Sequence, residues 1–253
     1  MKIIPVSAFS DNYVWTLVDE EQQSAICVDP GQAEPVLNYL KAHRLQLDGI
    51  LLTHHHADHI SGVPELADAF PSAWVYGPSD QRIPPPVHFV NGYDTIRWLG
   101  CYFEVIEIPG HTSSHICYFE PQLEALFCGD TLFSAGCGRV FDGSLETLFS
   151  SLKRLADLPD NTKVYCGHEY TLQNLRFASQ VEPDNINIQL EIQKFQNPNY
   201  RCSLPSTIEK EKKINPFLRT TEPSVRQYAE SRGGSTEPFS VFKQLREDKN
   251  NFS

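Results

Sequence analysis

His54, His56, Asp58 and His59 stand within six residues of one another in the run Thr53-His54-His55-His56-Ala57-Asp58-His59, directly after the apolar stretch Gly49-Ile50-Leu51-Leu52. Imidazole nitrogens and carboxylate oxygens are ligands that borderline divalent metals accept, and four of them in so short a span cannot be packed cheaply into an ordinary core. The HxHxDH spacing at the end of a buried strand therefore predicts a place for two metal ions, with water activation as the chemistry. Two plainer readings compete: a solvated histidine-rich tract, or a single structural zinc site. The seven cysteines, Cys27, Cys101, Cys117, Cys128, Cys137, Cys166 and Cys202, form no Cys-x-x-Cys pair of the kind that closes structural zinc sites. That favours a catalytic centre.

Three further candidate ligands follow short apolar runs. Glu107-Ile108-Pro109-Gly110 leads into His111, Phe127-Cys128-Gly129 into Asp130, and Tyr165-Cys166-Gly167 into His168. Turns that leave strands are where functional side chains are commonly presented. Alone, each is weak, since a single buried histidine is more often a hydrogen-bonded core residue and a Gly-Asp pair more often a turn or cap. In this order after HxHxDH, the set is far more specific. His55 lies between two ligand positions, and consecutive side chains on extended backbone point opposite ways, so it is expected to face outward or support a ligand from behind. His43, His88 and His115 are not assigned as ligands. Asp29, in Asp29-Pro30-Gly31, reads either as an orienting partner for a ligand or as an ordinary turn residue.

The elements that must position these residues are legible as alternating types. Strand-like runs cover residues 13–18, 25–28, 49–52, 74–76, 103–108, 116–119, 125–128 and 163–166. Helical periodicity places Val36, Leu37 and Leu40 on one face of residues 33–43, and Leu148, Leu152 and Leu155 on one face of 145–155. Strands mixed with helices indicate an α/β layered fold. After Tyr170 the texture changes: residues 172–181, 186–195, 225–230 and 238–249 read as helices, with no convincing strand among them. The expected organisation is a catalytic domain over 1–169 and a small helical domain over 170–253. Pro84-Pro85-Pro86 reads as a stiff surface loop.

A length of 253 residues and a 40% hydrophobic content suit one large domain, or a main domain with an appendage. The net charge of −11 opposes a general grip on nucleic acid, which depends on clustered Lys and Arg. No apolar run approaches the roughly 18 residues of a membrane span, and the N-terminus lacks the pattern of a cleaved export signal. The odd number of cysteines suits reduced thiols serving as small core residues in a cytosol.

The ordered set of motifs resembles the metallo-β-lactamase superfamily and, within it, the glyoxalase II (hydroxyacylglutathione hydrolase) family. The likeness runs nearly end to end through Asp11-Asn12-Tyr13, Val28-Asp29-Pro30-Gly31, the 53–59 run, Pro109-Gly110-His111-Thr112, Gly129-Asp130-Thr131-Leu132-Phe133, Gly167-His168-Glu169-Tyr170 and Leu245-Arg246-Glu247-Asp248-Lys249. It implies an αββα sandwich with a small α-helical C-terminal domain and metals at the strand edges. His54, His56 and His111 would hold one ion, Asp58, His59 and His168 the other, and Asp130 would bridge them. Two divalent metal ions per chain, zinc ahead of iron or manganese, would generate a hydroxide held through Asp130, Asp58 and His59, since bound water can fall from a pKa of 15.7 to about 7. Two such cations less two aspartates and one hydroxide leave the cluster near +1, suited to an anionic tetrahedral intermediate.

The same resemblance implies a small-molecule substrate, a glutathione thioester such as S-D-lactoylglutathione, in methylglyoxal detoxification. Arg139, Phe141, Tyr170, Arg246 and Lys249 occupy the glutathione-binding positions, with Phe141 where some relatives carry a Tyr that hydrogen-bonds the peptide. On residue type alone, Arg246 and Lys249 read instead as the solvated charged end of a helix. Ser61, Ser114 and Asn250 depart from a common Gly, Gly and Asp, and none is a proposed ligand. The expected setting is a cytoplasmic monomer with neither nucleic acid nor membrane as partner. A mononuclear iron enzyme acting on glutathione persulfide is the alternative, disfavoured because the donors for a second ion are all present.

Overall fold

Residues 12–28 supply two neighbouring strands that are buried on both faces, which requires cover from two sides. A computed structural model describes residues 1–197, 200 and 202–252. The chain divides into one unit of Met1–Glu107 with Ser114–Gly129 and another of Ile108–Ser113 with Asp130–Ser253. These units do not follow a boundary at 169/170, which marks a change of texture along the sequence.

In the first unit, β1 (Lys2–Ala8), β2 (Asn12–Asp19), β3 (Ser24–Val28), β4 (Gln46–Leu51), β5 (Trp74–Pro78) and β6 (His88–Val90) form one sheet in that order. The first three are antiparallel, and β3 to β6 run parallel. Parallel neighbours need crossovers. Helix α1 (Ala33–His43) joins β3 to β4, while α2 (Ala57–Ile60) and α3 (Val63–Ala69) lie between β4 and β5. Side-chain alternation then assigns the faces. Val14, Val18, Ala25, Cys27 and Ile50 pack with Val36 and Leu40 of α1 and Val63 and Leu66 of α3. Their neighbours Leu17, Ile26 and Leu51 point the other way and are equally buried.

A second sheet lies on that side. Strands β7 (Thr95–Trp98), β8 (Cys101–Glu107), β9 (Ile116–Glu120) and β10 (Ala125–Gly129) pair antiparallel in sequence order. Tyr118 of β9 is fully buried and donates its hydroxyl to the Leu52 carbonyl at 2.7 Å, tying the two sheets together where β4 ends. Strand β1 was not foreseen. Pro5 interrupts its pattern, and a proline is tolerated because β1 is an edge strand.

The second unit contains the hairpin β11 (Leu132–Phe133) and β12 (Gly136–Cys137), then α4 (Leu145–Ala156) and β13 (Lys163–Cys166). Helices α5 (Thr171–Val181), α6 (Ile186–Lys194), α7 (Ile208–Ile214), α8 (Pro223–Ser231) and α9 (Pro238–Asn250) follow, with β14 (Ser206–Thr207) just before α7. Strand β14 corrects the expectation that no strand follows Tyr170. It pairs Ser206 with Val164 and Thr207 with Lys163, and two residues are too few to show a period. Leu175, Ala178, Ile188 and Ile214 form an apolar cluster in this unit, and the rings of Phe149, Phe177, Phe217 and Phe242 pack together with centroids 5.2–6.1 Å apart between neighbours. Helix α4 begins with a reciprocal capping box between Ser144 and Thr147. The cysteines are all free thiols, buried except for the half-buried Cys202.

Candidate metal centre

The carboxyl end of β4 delivers the HxHxDH loop, and neighbouring strand ends hold it. Asp29, just past β3, adopts a left-handed backbone (φ 54°) that turns its side chain towards the loop. Its Oδ1 accepts from the Thr53 amide at 2.8 Å, and its Oδ2 accepts from the Thr53 hydroxyl at 2.7 Å. The same Oδ2 lies 3.0 Å from His59 Nδ1. Thr53 Oγ1 in turn sits 3.0 Å from His54 Nδ1. The Nδ1 sides of His54 and His59 are thereby engaged, so Nε2 is the nitrogen each ring offers outward, as metal-ligating histidines do. Asp29, His54 and His59 bring candidate ligand atoms within 4.8 Å of one another. Because the carboxylate of Asp29 already serves Thr53 and His59, it orients rather than ligates. Asp29 is therefore more than a turn residue.

His56 caps α2 from extended backbone (ψ 144°), and Asp58 lies in the first turn. His55 turns away from its neighbours, with Nδ1 3.4 Å from Asp80 Oδ2. Asp80 also accepts from Arg82 Nη2 at 2.7 Å and from Ser114 Oγ at 2.6 Å, and the Arg82 hydrogen bond holds its carboxyl well below the usual carboxylate range. Ser114 thus gains a hydrogen bond that the common glycine could not make. His115 is buried and stacks on His54 at 4.6 Å, a packing role. Gly129 (φ 47°) closes β10 where an added Cβ would run into Thr53 Oγ1 and the His115 ring, so only glycine fits.

In the second unit, His111, Asp130 and His168 are brought together from three separate turns. His111 Nε2 lies 3.7 Å and His168 Nε2 3.3 Å from the same oxygen, Asp130 Oδ2. His111 Nδ1 is 2.8 Å from the Arg139 carbonyl, which again leaves Nε2 facing the aspartate. The three groups are nearly fully buried. Phe141 is exposed and meets the edge of the His111 ring at 5.2 Å, whereas Tyr170 stacks on His168 at 4.7 Å. Imidazoles tied at one nitrogen and aimed by the other, with carboxylates among them, suit divalent cations of the zinc, iron and manganese class in both units.

Arg246 and Lys249 overturn the reading of a solvated helix end. They are 3% and 8% exposed. Arg246 Nη1 donates to the Cys137 carbonyl at 2.7 Å, its Nε donates to Asn250 Oδ1 at 3.2 Å, and its guanidinium lies 5.1 Å from the centre of the Phe217 ring. Lys249 lies between Phe177 and Phe252, 5.8 and 5.2 Å from their centroids. Burial, and then the positive charges of Arg246 and the exposed Arg139, lower its pKa to about 8. Sequence reasoning gave no role to Thr53, Asp80 or the Cys137 carbonyl. Their contributions are tertiary contacts without a spacing of their own.

Known proteins share this architecture. The chain matches the metallo-β-lactamase superfamily over residues 11–168 and the hydroxyacylglutathione hydrolase C-terminus over residues 169–252. It is 52% identical over 256 aligned positions to a hydroxyacylglutathione hydrolase of Legionella pneumophila (strain Paris), covering all of both chains. Among solved structures, ETHE1 from Myxococcus xanthus matches with a TM-score of 0.69 at 27% identity, covering 99% of this chain and 92% of that one. TTHA1623 in a di-iron-bound form matches with a TM-score of 0.62 at 26% identity, covering 85% of this chain and 100% of the other.

Proposed function

The chain belongs to the hydroxyacylglutathione hydrolase family of the metallo-β-lactamase superfamily, and from that membership we propose that it is a thioester hydrolase. It cleaves S-(2-hydroxyacyl)glutathione, such as S-D-lactoylglutathione, to glutathione and a 2-hydroxy acid such as D-lactate. The observation that carries the reading is the 52% identity along the whole of both chains. We assign His54, His56 and His111 to one divalent ion, Asp58, His59 and His168 to a second, and Asp130 to both, with zinc ahead of iron or manganese. The relative solved in a di-iron-bound form supports two ions in this fold.

Two such ions, when bound, acidify water and polarise a carbonyl, so no Ser or Cys nucleophile is required. The chain's own residues do the rest. Asp29 and the Arg139 carbonyl fix the rings of His59 and His111, and so set the direction of each Nε2. Water oxygen adds to the thioester carbon with loss of a proton, the C–S bond breaks, sulfur departs as a thiolate, and the released protons pass to solvent. A thiolate leaves readily, so no dedicated strong acid has to protonate it.

Residues 170–253 supply the glutathione-binding side. Lys249, with Arg139 nearby, presents positive charge for a glutathione carboxylate, as charge-assisted recognition needs. Arg246 holds the backbone of β12 while adding to that charge. Tyr170 and the exposed Phe141 offer ring surface beside His168 and His111. The proposed setting is methylglyoxal detoxification by a cytoplasmic monomer. Incubating metal-loaded protein with S-D-lactoylglutathione should release free thiol as thioester absorbance falls. Intact thioester, together with oxygen uptake on glutathione persulfide, would instead point to a mononuclear iron enzyme.

A further inference from the structure

Asn12 opens β2, where the register pairs it with Ala8 as the last rung between β1 and β2. Its side chain belongs to a residue only 7% exposed, and a buried amide must place its donors on acceptors. Both contacts go to one residue. Nδ2 lies 3.1 Å from Asp58 Oδ2 and 3.2 Å from the Asp58 main-chain carbonyl oxygen. Side chain and backbone of Asp58 are thus referenced to the same point on the rigid sheet.

A second observation points the same way. A Cβ at Gly31 would overlap the Asp58 carbonyl, so the chain is shaped to let that carbonyl come in close. The Asp58 side chain itself is 42% exposed, so packing alone does not set its rotamer. The next residue, His59, is 1% exposed at its side chain and is anchored separately by Asp29. Two adjacent groups therefore carry independent anchors, one from the start of β2 and one from the end of β3.

We propose that Asn12 is a positioning residue acting through Asp58: its amide donates to Asp58 Oδ2, the oxygen that lies 3.5 Å from His59 Nε2, and so holds that carboxylate in place for the metal ion that Asp58 would share with His59. The inference rests on the two-ion assignment above and deepens it. An amide serves here where a cationic side chain would not, because Lys or Arg beside Asp58 would oppose a cation, whereas Asn donates hydrogen bonds without net charge. A hydrogen bond behind a ligating carboxylate is the kind of support whose loss weakens metal binding.

The test is a metal titration of the full-length zinc-loaded protein, with ions per chain and chelator competition as readouts. The wild type should hold two ions. Asn12→Ala should release one of them at on the order of 10- to 100-fold lower chelator concentration while the other is retained as before. In an Asp58→Ala background, Asn12→Ala should add nothing further, because coupled residues are not additive. Wild-type retention of both ions in Asn12→Ala, or an undiminished effect without Asp58, overturns the proposal. The thermal midpoint of the metal-stripped protein separates orientation from folding. If Asn12→Ala does not fold, Asn12→Ser, whose hydroxyl is too short to reach Asp58, takes its place with the same expected outcomes. A wild type holding fewer than two ions overturns the two-ion assignment, and this inference with it.

Discussion

In the first unit the buried charges are carboxylates already surrounded by donors: Asp29 by Thr53 and His59, Asp80 by Arg82 and Ser114. In the second, Arg246 and Lys249 are buried together, and among the described residues neither forms an ion pair with a carboxylate. Arg246 rests on carbonyl oxygens and a ring, Lys249 between two rings. The anions of the first region are compensated by the protein and serve as fixed supports for histidines. The cations of the second are compensated only by dipoles and π-faces, an arrangement that favours an incoming anion. The first set holds histidines still; the second, on the proposed function, keeps part of its charge for an incoming anion.

Asp130→Asn, in the second unit, tests the proposed metal centre most severely. It removes the charge that faces both His111 and His168, so turnover should fall on the order of 10³-fold, with loss of bound metal. Unchanged turnover at wild-type metal content, read by elemental analysis, would reject a shared role. Asp29→Ala should be milder, weakening metal retention on the order of 10- to 100-fold as the His59 ring loses its anchor, measured by chelator competition.

Lys249→Met addresses the other region. We expect KM to rise about tenfold with kcat nearly unchanged, the signature of lost uniform binding. A collapse of kcat at constant KM would show that the cation does something else. Because the Lys249 pKa is lowered to about 8, its charge is present below that pH and lost above it, so wild-type KM should climb through pH 8 while the variant stays flat. The same depression makes the folded protein bind fewer protons than the unfolded chain between about 8 and 10.5, so the substrate-free protein gains stability across that window. Ser144→Ala should cost about 1 kcal/mol in thermal unfolding through the lost cap of α4, with the smallest effect on kinetics of the set.

How far each region could be read from sequence follows the same division. HxHxDH is contiguous, and the strand that carries it is a continuous apolar run, so local pattern sufficed for both. The helices 33–43 and 145–156 announced themselves by periodicity. Burial of Lys249 could not be read this way, because Arg246 and Phe252 flank it three residues away on either side but the cover from Phe177 arrives from a distant position. By residue type the helix end looked solvated. The supports behind the histidines were hidden for a related reason: Asp80 and the Arg139 carbonyl reach histidines tens of residues away, and Thr53, though next to His54, is itself held by the distant Asp29. Strand β14 and helix α7 escaped notice because one has two residues and the other is mostly charged, IEKEKKI.

The short β11–β12 hairpin carries Asp130 just before it and Arg139 just after it, and much of its support comes from the far end of the sequence. Buried Glu211 accepts from the Ala135 amide at 2.7 Å and from Ser206 Oγ, Asn215 Nδ2 donates to the Gly136 carbonyl at 2.9 Å, and Arg246 donates to Cys137. A chimera joined at 169/170, with a foreign segment replacing the last third of the chain, would strip the hairpin of all three supports. Exchange of that segment between homologues is therefore constrained: a donor lacking equivalents of Glu211, Asn215 and Arg246 would leave the loop between Asp130 and Arg139 unsupported.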